Sequence, residues 1–238
     1  MLALTNAEFL ALWERGRGLH PIDQGVLAIE AAHPAAEPGS VADWPLGRRN
    51  RALAELQAAC FGARLQGWTE CPQCGDKLEF ELDAASLASA GMAEAAPEPI
   101  AAKGLNFRLP TSRDLARIAS EPDVETAAQR LLELSLIDAS DPGSLTTWTQ
   151  DEIEEVGTRM GDADPLAEIR VSFLCPVCGG GSEEGLDLPV FLWAGIEGHA
   201  KRLLLEVHTL ASTYGWSESA ILALGAARRG CYLEMVQA

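Results

Sequence analysis

Four of the six cysteines stand in two matched pairs, Cys71-Pro72-Gln73-Cys74-Gly75 and Cys175-Pro176-Val177-Cys178-Gly179. Two thiolates spaced C-x-x-C take adjacent corners of a tetrahedron around one metal ion. The proline fixes the turn, and the glycine after the second cysteine permits the backbone conformation that frees amides to point at sulfur. Together the pairs supply a four-thiolate set: Cys71, Cys74, Cys175 and Cys178. The expected cofactor is one structural zinc ion per chain. A closed site of this kind leaves no position for substrate and contributes on the order of 10 kcal/mol or more to folding.

The spacing is unusual. Cys71 and Cys175 lie 104 positions apart, against about twenty in the usual linking segment. Everything between the two knuckles is therefore an insertion within the ribbon. The repeat runs past the ligands, with Glu79-Phe80-Glu81-Leu82-Asp83 after the first knuckle and Glu184-Gly185-Leu186-Asp187 after the second. Both read as related strand-knuckle-strand units. Two alternatives use the same residues. One is four unrelated buried thiols. The other is thiol–disulfide exchange, which C-P-x-C also serves; there the second cysteine lies in a helix, whereas Gly75 and an alternating acidic strand follow here. Cys60 and Cys231 have no paired motif and are expected to be buried small hydrophobes.

No other constellation looks catalytic, so an enzyme is not expected. His20 and His33 each precede a proline in a turn. His199 and His208 fall on different faces of one helix. No nucleophile elbow, phosphate-binding loop or dinucleotide fingerprint is present, and Gly179-Gly180-Gly181 is a turn beside the knuckle. Arg48, Arg49 and Arg51 form the main basic cluster, read as an exposed helix face or a contact with an acidic partner. Acidic pairs such as Glu183-Glu184 are solvated surface.

The balance of 18 basic against 35 acidic residues gives a net charge of −17, and four thiolates around one dication add about −2 more. Such a balance argues against general binding to nucleic acid or to anionic membranes. At 238 residues with 47% hydrophobic content, the chain can bury a core without disulfides. No apolar run approaches a membrane span, and no secretory signal is evident. The expected location is the bacterial cytoplasm or an assembled particle built there.

The elements that must position the thiols are legible from periodicity and caps. Thr5 and Glu8 form a capping box for a helix ending near Gly16 and Gly18. Pro21 opens a second helix. A third follows Asp43 and stops at Gly62. Leu78, Phe80 and Leu82 alternate as a strand, a short helix and a surface linker run from Ala84 to Lys103, and Leu105, Phe107 and Leu109 alternate again. Thr111 or Ser112 caps one helix, another runs from about Val124 to Ile137, and Asp138 to Thr147 is a turn-rich loop. Thr149 starts the next helix, and Ile169, Val171 and Phe173 form a strand. From about Val190 the chain is helical, with breaks at Gly195, at Tyr214-Gly215-Trp216 and at Gly225. The fold class expected is α+β, mainly helical, with a split four-cysteine zinc ribbon made from two CPxCG units. Its segments are an N-terminal helical segment (1–62), the ribbon with its helical insertion (63–190) and a C-terminal helical docking segment (191–238).

The stretch from Val207 to Leu222, containing Tyr214-Gly215-Trp216, followed by Arg228-Arg229 and Tyr232-Leu233, is similar to a known family. So is Cys71 to Leu82. Together they resemble the T4-type phage baseplate hub assembly protein family, whose members act as assembly chaperones and also occur with contractile injection systems, which are phage-tail-like particles. The C-terminal resemblance covers about 30 residues, and the zinc-knuckle version of the family covers most of the chain more loosely; the phage members need not carry the cysteines, so the zinc site rests on spacing alone. The resemblance implies a non-enzymatic assembly factor or minor baseplate component whose partners are baseplate, hub or spike proteins. The partner-binding residues would be Tyr214, Trp216, Arg228, Arg229 and Tyr232. The rival reading is a zinc-ribbon adaptor for nucleic acid or transcription, which the charge opposes.

Overall fold

The computed structural model describes residues 3–89, 98–102, 104–137 and 148–237. The expected turn-rich loop at 138–147 lies outside them. The chain is α+β and mainly helical. Helix α1 (Asn6–Gly16) starts at the expected capping box: the Glu8 amide donates to Thr5 Oγ1 at 3.3 Å, and the Thr5 amide donates to Glu8 at 2.7 Å. Helix α2 (Pro21–Ala32) opens on Pro21, and α3 (Leu46–Phe61) ends at Gly62, whose φ of 94° only glycine adopts without strain. Far along the chain, α8 (Leu188–Tyr214) runs for 27 residues.

These four helices bury one apolar face each into a common core. Leu12, Ile29, Leu53, Leu56, Leu188, Ile196 and Leu203 lie inside it. Each such side chain contributes about 1.5–3 kcal/mol on burial. The Trp193 ring of α8 packs against Gly16, where an added Cβ would stand 2.2 Å from it. Helix α8 corrects one expectation. Gly195 does not break it: the missing side chain admits the Phe61 ring, 3.3 Å from where a Cβ would be. The cost of a mid-helix glycine, roughly 1 kcal/mol, is offset by that close packing.

The strands form three separate two-stranded antiparallel sheets. Strands β1 (Arg64–Glu70) and β2 (Lys77–Asp83) make the first hairpin, in the register Gly67↔Phe80 and Leu65↔Leu82. Alternation puts Leu65, Leu78 and Leu82 on its inner face and Lys77, Glu79 and Glu81 outside. Strands β5 (Arg170–Leu174) and β6 (Gly181–Gly185) make another hairpin of the same design. Between them in sequence come α4 (Ala84–Ser89), β3 (Ile100–Ala102), β4 (Leu105–Phe107), α5 (Ser112–Ile118), α6 (Val124–Ser135) and α7 (Gln150–Ala163). The strand β3 corrects the surface linker expected to reach Lys103: Ile100 and Ala102 are buried against Phe107, Leu132, Val156 and Met160 in a second, smaller core.

That smaller core is tied to the main helices by polar contacts. The Leu46 amide donates to the Pro110 carbonyl at 3.1 Å and the Gly47 amide to Asp164, just after α7, at 2.8 Å, while Asn50 Nδ2 donates to the carbonyl of Leu166, itself in the main core, at 2.7 Å. The arginine cluster on α3 is not one exposed face. Arg48 is exposed over the Trp44 ring, but Arg49 is buried, bonded through Nη2 to Asn50 at 2.9 Å and through Nη1 to Ser112 at 3.4 Å. Burial lowers the affinity of its guanidinium for the proton, and Asp187 and Asp164 offset this only in part. At the end of the molecule, α8 stops at Gly215 (φ 70°), and the short α9 (Glu218–Leu222) and α10 (Ala226–Gln237) fold back along it.

Candidate metal centre

Each knuckle is the turn of a hairpin, and the two turns have the same backbone bonds. The Cys71 amide donates to the Asp76 carbonyl at 2.8 Å and the Gly75 amide to the Cys71 carbonyl at 2.8 Å. In the second knuckle the Cys175 amide donates to the Gly180 carbonyl and the Gly179 amide to the Cys175 carbonyl, both at 2.9 Å. Gly75 and Gly179 stand at φ 74° and 71°, the left-handed region that L side chains avoid. This answers the sequence pattern: glycine after the second cysteine lets the chain reverse while its amides turn inward.

The two turns meet. The Sγ atoms of Cys71, Cys74, Cys175 and Cys178 all lie within 4.8 Å of one another. Across the pair, Cys71 and Cys178 approach to 3.7 Å and Cys74 and Cys175 to 3.6 Å. All four are free thiols. Cys71 and Cys175 are buried, while Cys74 and Cys178 face solvent. Phe80 and Phe173 meet edge-on beside the cluster, 5.8 Å between centroids, and Leu78 completes a small apolar floor.

The fit to a metal follows from the chemistry of the donors. A tetrahedral ion with thiolates at about 2.3 Å separates its sulfurs by about 3.8 Å, which is the separation of the two close pairs. The electrostatics point the same way. The amides of Gln73 and Cys74, aimed at Cys71 Sγ, bring its pKa down to about 7. The Asp76 amide favours a Cys74 thiolate too, but burial and the thiols of Cys175, Cys71 and Cys178 outweigh it and push Cys74 up to about 12. At Cys178 the Gly180 amide favours the thiolate, yet the Cys175 thiol and burial raise it. The cluster on its own tolerates few negative charges, and a dication removes that restriction.

One contributor had no signal in the sequence. Gln73, the variable residue of the first knuckle, reaches across to the second. Its side-chain oxygen sits 3.9 Å from Cys178 Sγ and covers Gly180, where a Cβ would lie 2.3 Å from it. The two bystander cysteines differ from each other. Cys60 is half-buried, with its thiol pKa raised by burial, but Cys231 is exposed, against the expectation of a buried small hydrophobe.

The expected partner-binding residues gather at the far end of α8. Tyr214 and Trp216 stack at 4.8 Å, and Tyr232 of α10 meets Trp216 edge-on at 4.9 Å and Tyr214 at 5.8 Å. Arg228 is exposed, 5.9 Å from the Tyr232 ring centroid. Arg229 differs from the rest: it is 3% exposed, donates to Glu206 at 2.7 Å and to the Leu224 carbonyl, and so holds α10 onto α8 from beneath. Of the histidines, His199 packs on Phe9 at 4.5 Å, with its pKa lowered by burial and by Arg202, while His20 caps α2 through Nδ1. Among the described residues, no helix is long and apolar enough to cross a membrane. Comparison of the chain with protein-family models, with curated proteins and with solved structures finds no match.

Proposed function

We propose that this chain is a non-enzymatic protein-recognition module whose two hairpins are clasped by a structural zinc ion, as a split zinc ribbon. Cys71, Cys74, Cys175 and Cys178 would hold the ion, which supplies cross-linking rather than chemistry on a substrate. Its recognition surface is the aromatic group of Tyr214, Trp216 and Tyr232 with Arg228, and the buried Arg229 ties the helix that carries Tyr232 to Glu206 of α8. More specifically, it acts as an assembly factor or minor baseplate component of a contractile tail-like particle, with baseplate, hub or spike proteins as partners. The observation that carries the reading is the cluster of three rings at the end of a long helix, Tyr214 exposed and Trp216 and Tyr232 half-buried, on the segment that resembles the baseplate assembly family. Aromatic and arginine side chains are the common anchors of protein interfaces.

Co-expression with the baseplate, hub and spike proteins of such a particle tests it. Copurification that Trp216→Ala abolishes, with metal content unchanged, is the expected result; binding to none of them overturns the assembly role. Elemental analysis of protein purified without chelator is expected to give about one zinc per chain. A metal-free, fully folded protein overturns the clasp.

A further inference from the structure

We propose that the thiol cluster is also an oxidative modification site, at which a peroxide-class oxidant replaces the metal by two disulfides between the hairpins, Cys71–Cys178 and Cys74–Cys175. The proposal rests on the metal-clasp reading above. Its basis is how exposure and proximity are combined. Each close pair joins one solvent-facing thiol to one buried thiol on the opposite hairpin: Cys178 to Cys71 at 3.7 Å, and Cys74 to Cys175 at 3.6 Å. An oxidant arriving from solvent meets Cys74 or Cys178 first. A reducing group within 3.7 Å is then a buried thiol across the interface, already shielded from the same oxidant. Forming the bond requires each pair to close by about 1.6 Å to reach the disulfide length, and the cysteine side chains sit on turns rather than inside strands.

The chemistry balances with peroxide as the named co-reactant. The exposed thiolate sulfur attacks one peroxide oxygen, the O–O bond breaks, and a sulfenic acid and hydroxide form. The buried thiol's sulfur then attacks the sulfenic sulfur. The S–O bond breaks, the S–S bond forms, and the oxygen leaves as hydroxide; this and the hydroxide of the first step each take up one proton, from the thiols themselves in metal-free protein and from solvent in the metal-loaded one, and become water. Each disulfide thus takes two electrons from two thiols and reduces one peroxide to two waters. With its ligands consumed, the dication passes to solvent. The hairpins stay joined throughout, because the new bonds span 107 and 101 residues along the same route as the metal. A chain clasped by metal in a reducing compartment would be clasped covalently in an oxidising one.

The test uses the full chain. Its zinc content is measured first, and hydrogen peroxide is then titrated in the presence of a chromophoric chelator. Peptides are mapped without reduction after capping of free thiols, and metal-free protein is treated in parallel. Metal release in step with peroxide is expected, with peptides linked Cys71–Cys178 and Cys74–Cys175 in both preparations. The thermal midpoint should stay close to that of the metal-loaded protein and drop when dithiothreitol is added with chelator. Disulfides within each knuckle, Cys71–Cys74 and Cys175–Cys178, overturn the proposal. So does oxidation to sulfinic acid with no disulfide. Absence of zinc at the outset sinks the metal reading alone, and the disulfide map of the metal-free protein still decides this one.

Discussion

At Cys71 and Cys175 two demands coincide, since each is both a candidate ligand and part of a small buried floor with Leu78. Cys71→Ser or Cys175→Ser is therefore expected to abolish stoichiometric zinc and to cost about 3 kcal/mol or more, read as a fall in thermal midpoint. A variant of near-normal stability and metal content counts against a shared site. Asp114 offers a pH test away from the metal. Burial pushes its carboxyl up, but the Arg108 guanidinium (2.6 and 2.9 Å) and Thr111 overcome this and hold it below the ordinary range. A depressed carboxylate stabilises the fold above its unfolded pKa, near 3.9, and that contribution is lost as pH falls through the lower folded value. Asp114→Asn should cost about 2 kcal/mol at neutral pH, less than for a fully buried pair because Arg108 is 40% exposed. The loss should fade in strong acid; an equal loss at all pH values would assign Asp114 to packing alone. Gly16 is a steric case. Its Ala variant meets the Trp193 ring at 2.2 Å, so a loss of about 1–3 kcal/mol is expected in denaturant unfolding.

The hairpin turns carry the prediction at the level of elements. Nothing lies within 4 Å of where a Cβ would stand on Gly75 or Gly179. Replacing either by Ala therefore costs conformational strain alone, about 1–2 kcal/mol. Asn, which enters the left-handed region more readily, should recover part of the loss. If Asn is as damaging as Ala in thermal melts of the metal-loaded protein, φ is not the reason for glycine. This local logic explains what was readable in advance. C-P-x-C-G states a turn, a thiol pair and a backbone sign within five residues, and S/T-x-x-E states a helix start within four. Roles set by a distant partner were not readable. Gly195 looks like a helix end until Phe61 is seen against it, and Arg49 looks like surface until Asn50 and Ser112 are seen around its guanidinium. Ile100-Ala101-Ala102 is too short to show alternation, and only its pairing with Leu105–Phe107 makes it a strand.

Across the whole molecule, the main core and the thiol cluster draw on the same two ends of the chain. Helices α1 to α3 need α8 to cover their apolar faces, and the first hairpin needs the second to complete the thiol set. Chelation should act unevenly on such a structure. Hydrogen exchange is expected to speed up at 64–83 and 170–185 on metal removal, while amides of α2, α3 and α8 stay protected by their own core. Uniform loss of protection would mean that the metal holds the whole fold rather than the hairpins.

The 104-residue separation of Cys71 and Cys175 also sets a timetable for a nascent chain. At ordinary translation speeds the first knuckle leaves the ribosome roughly 5–20 s before the second exists. Through that interval Cys71 and Cys74 are an unpaired dithiol, and the apolar faces of α1 to α3 lack the helix that covers them. Two of the chain's liabilities are thus open together and close in succession, the first when 175–178 emerge and the second as α8 (188–214) follows. Protection of the half-made chain, or its prompt capture by metal, is needed in that window and not afterwards.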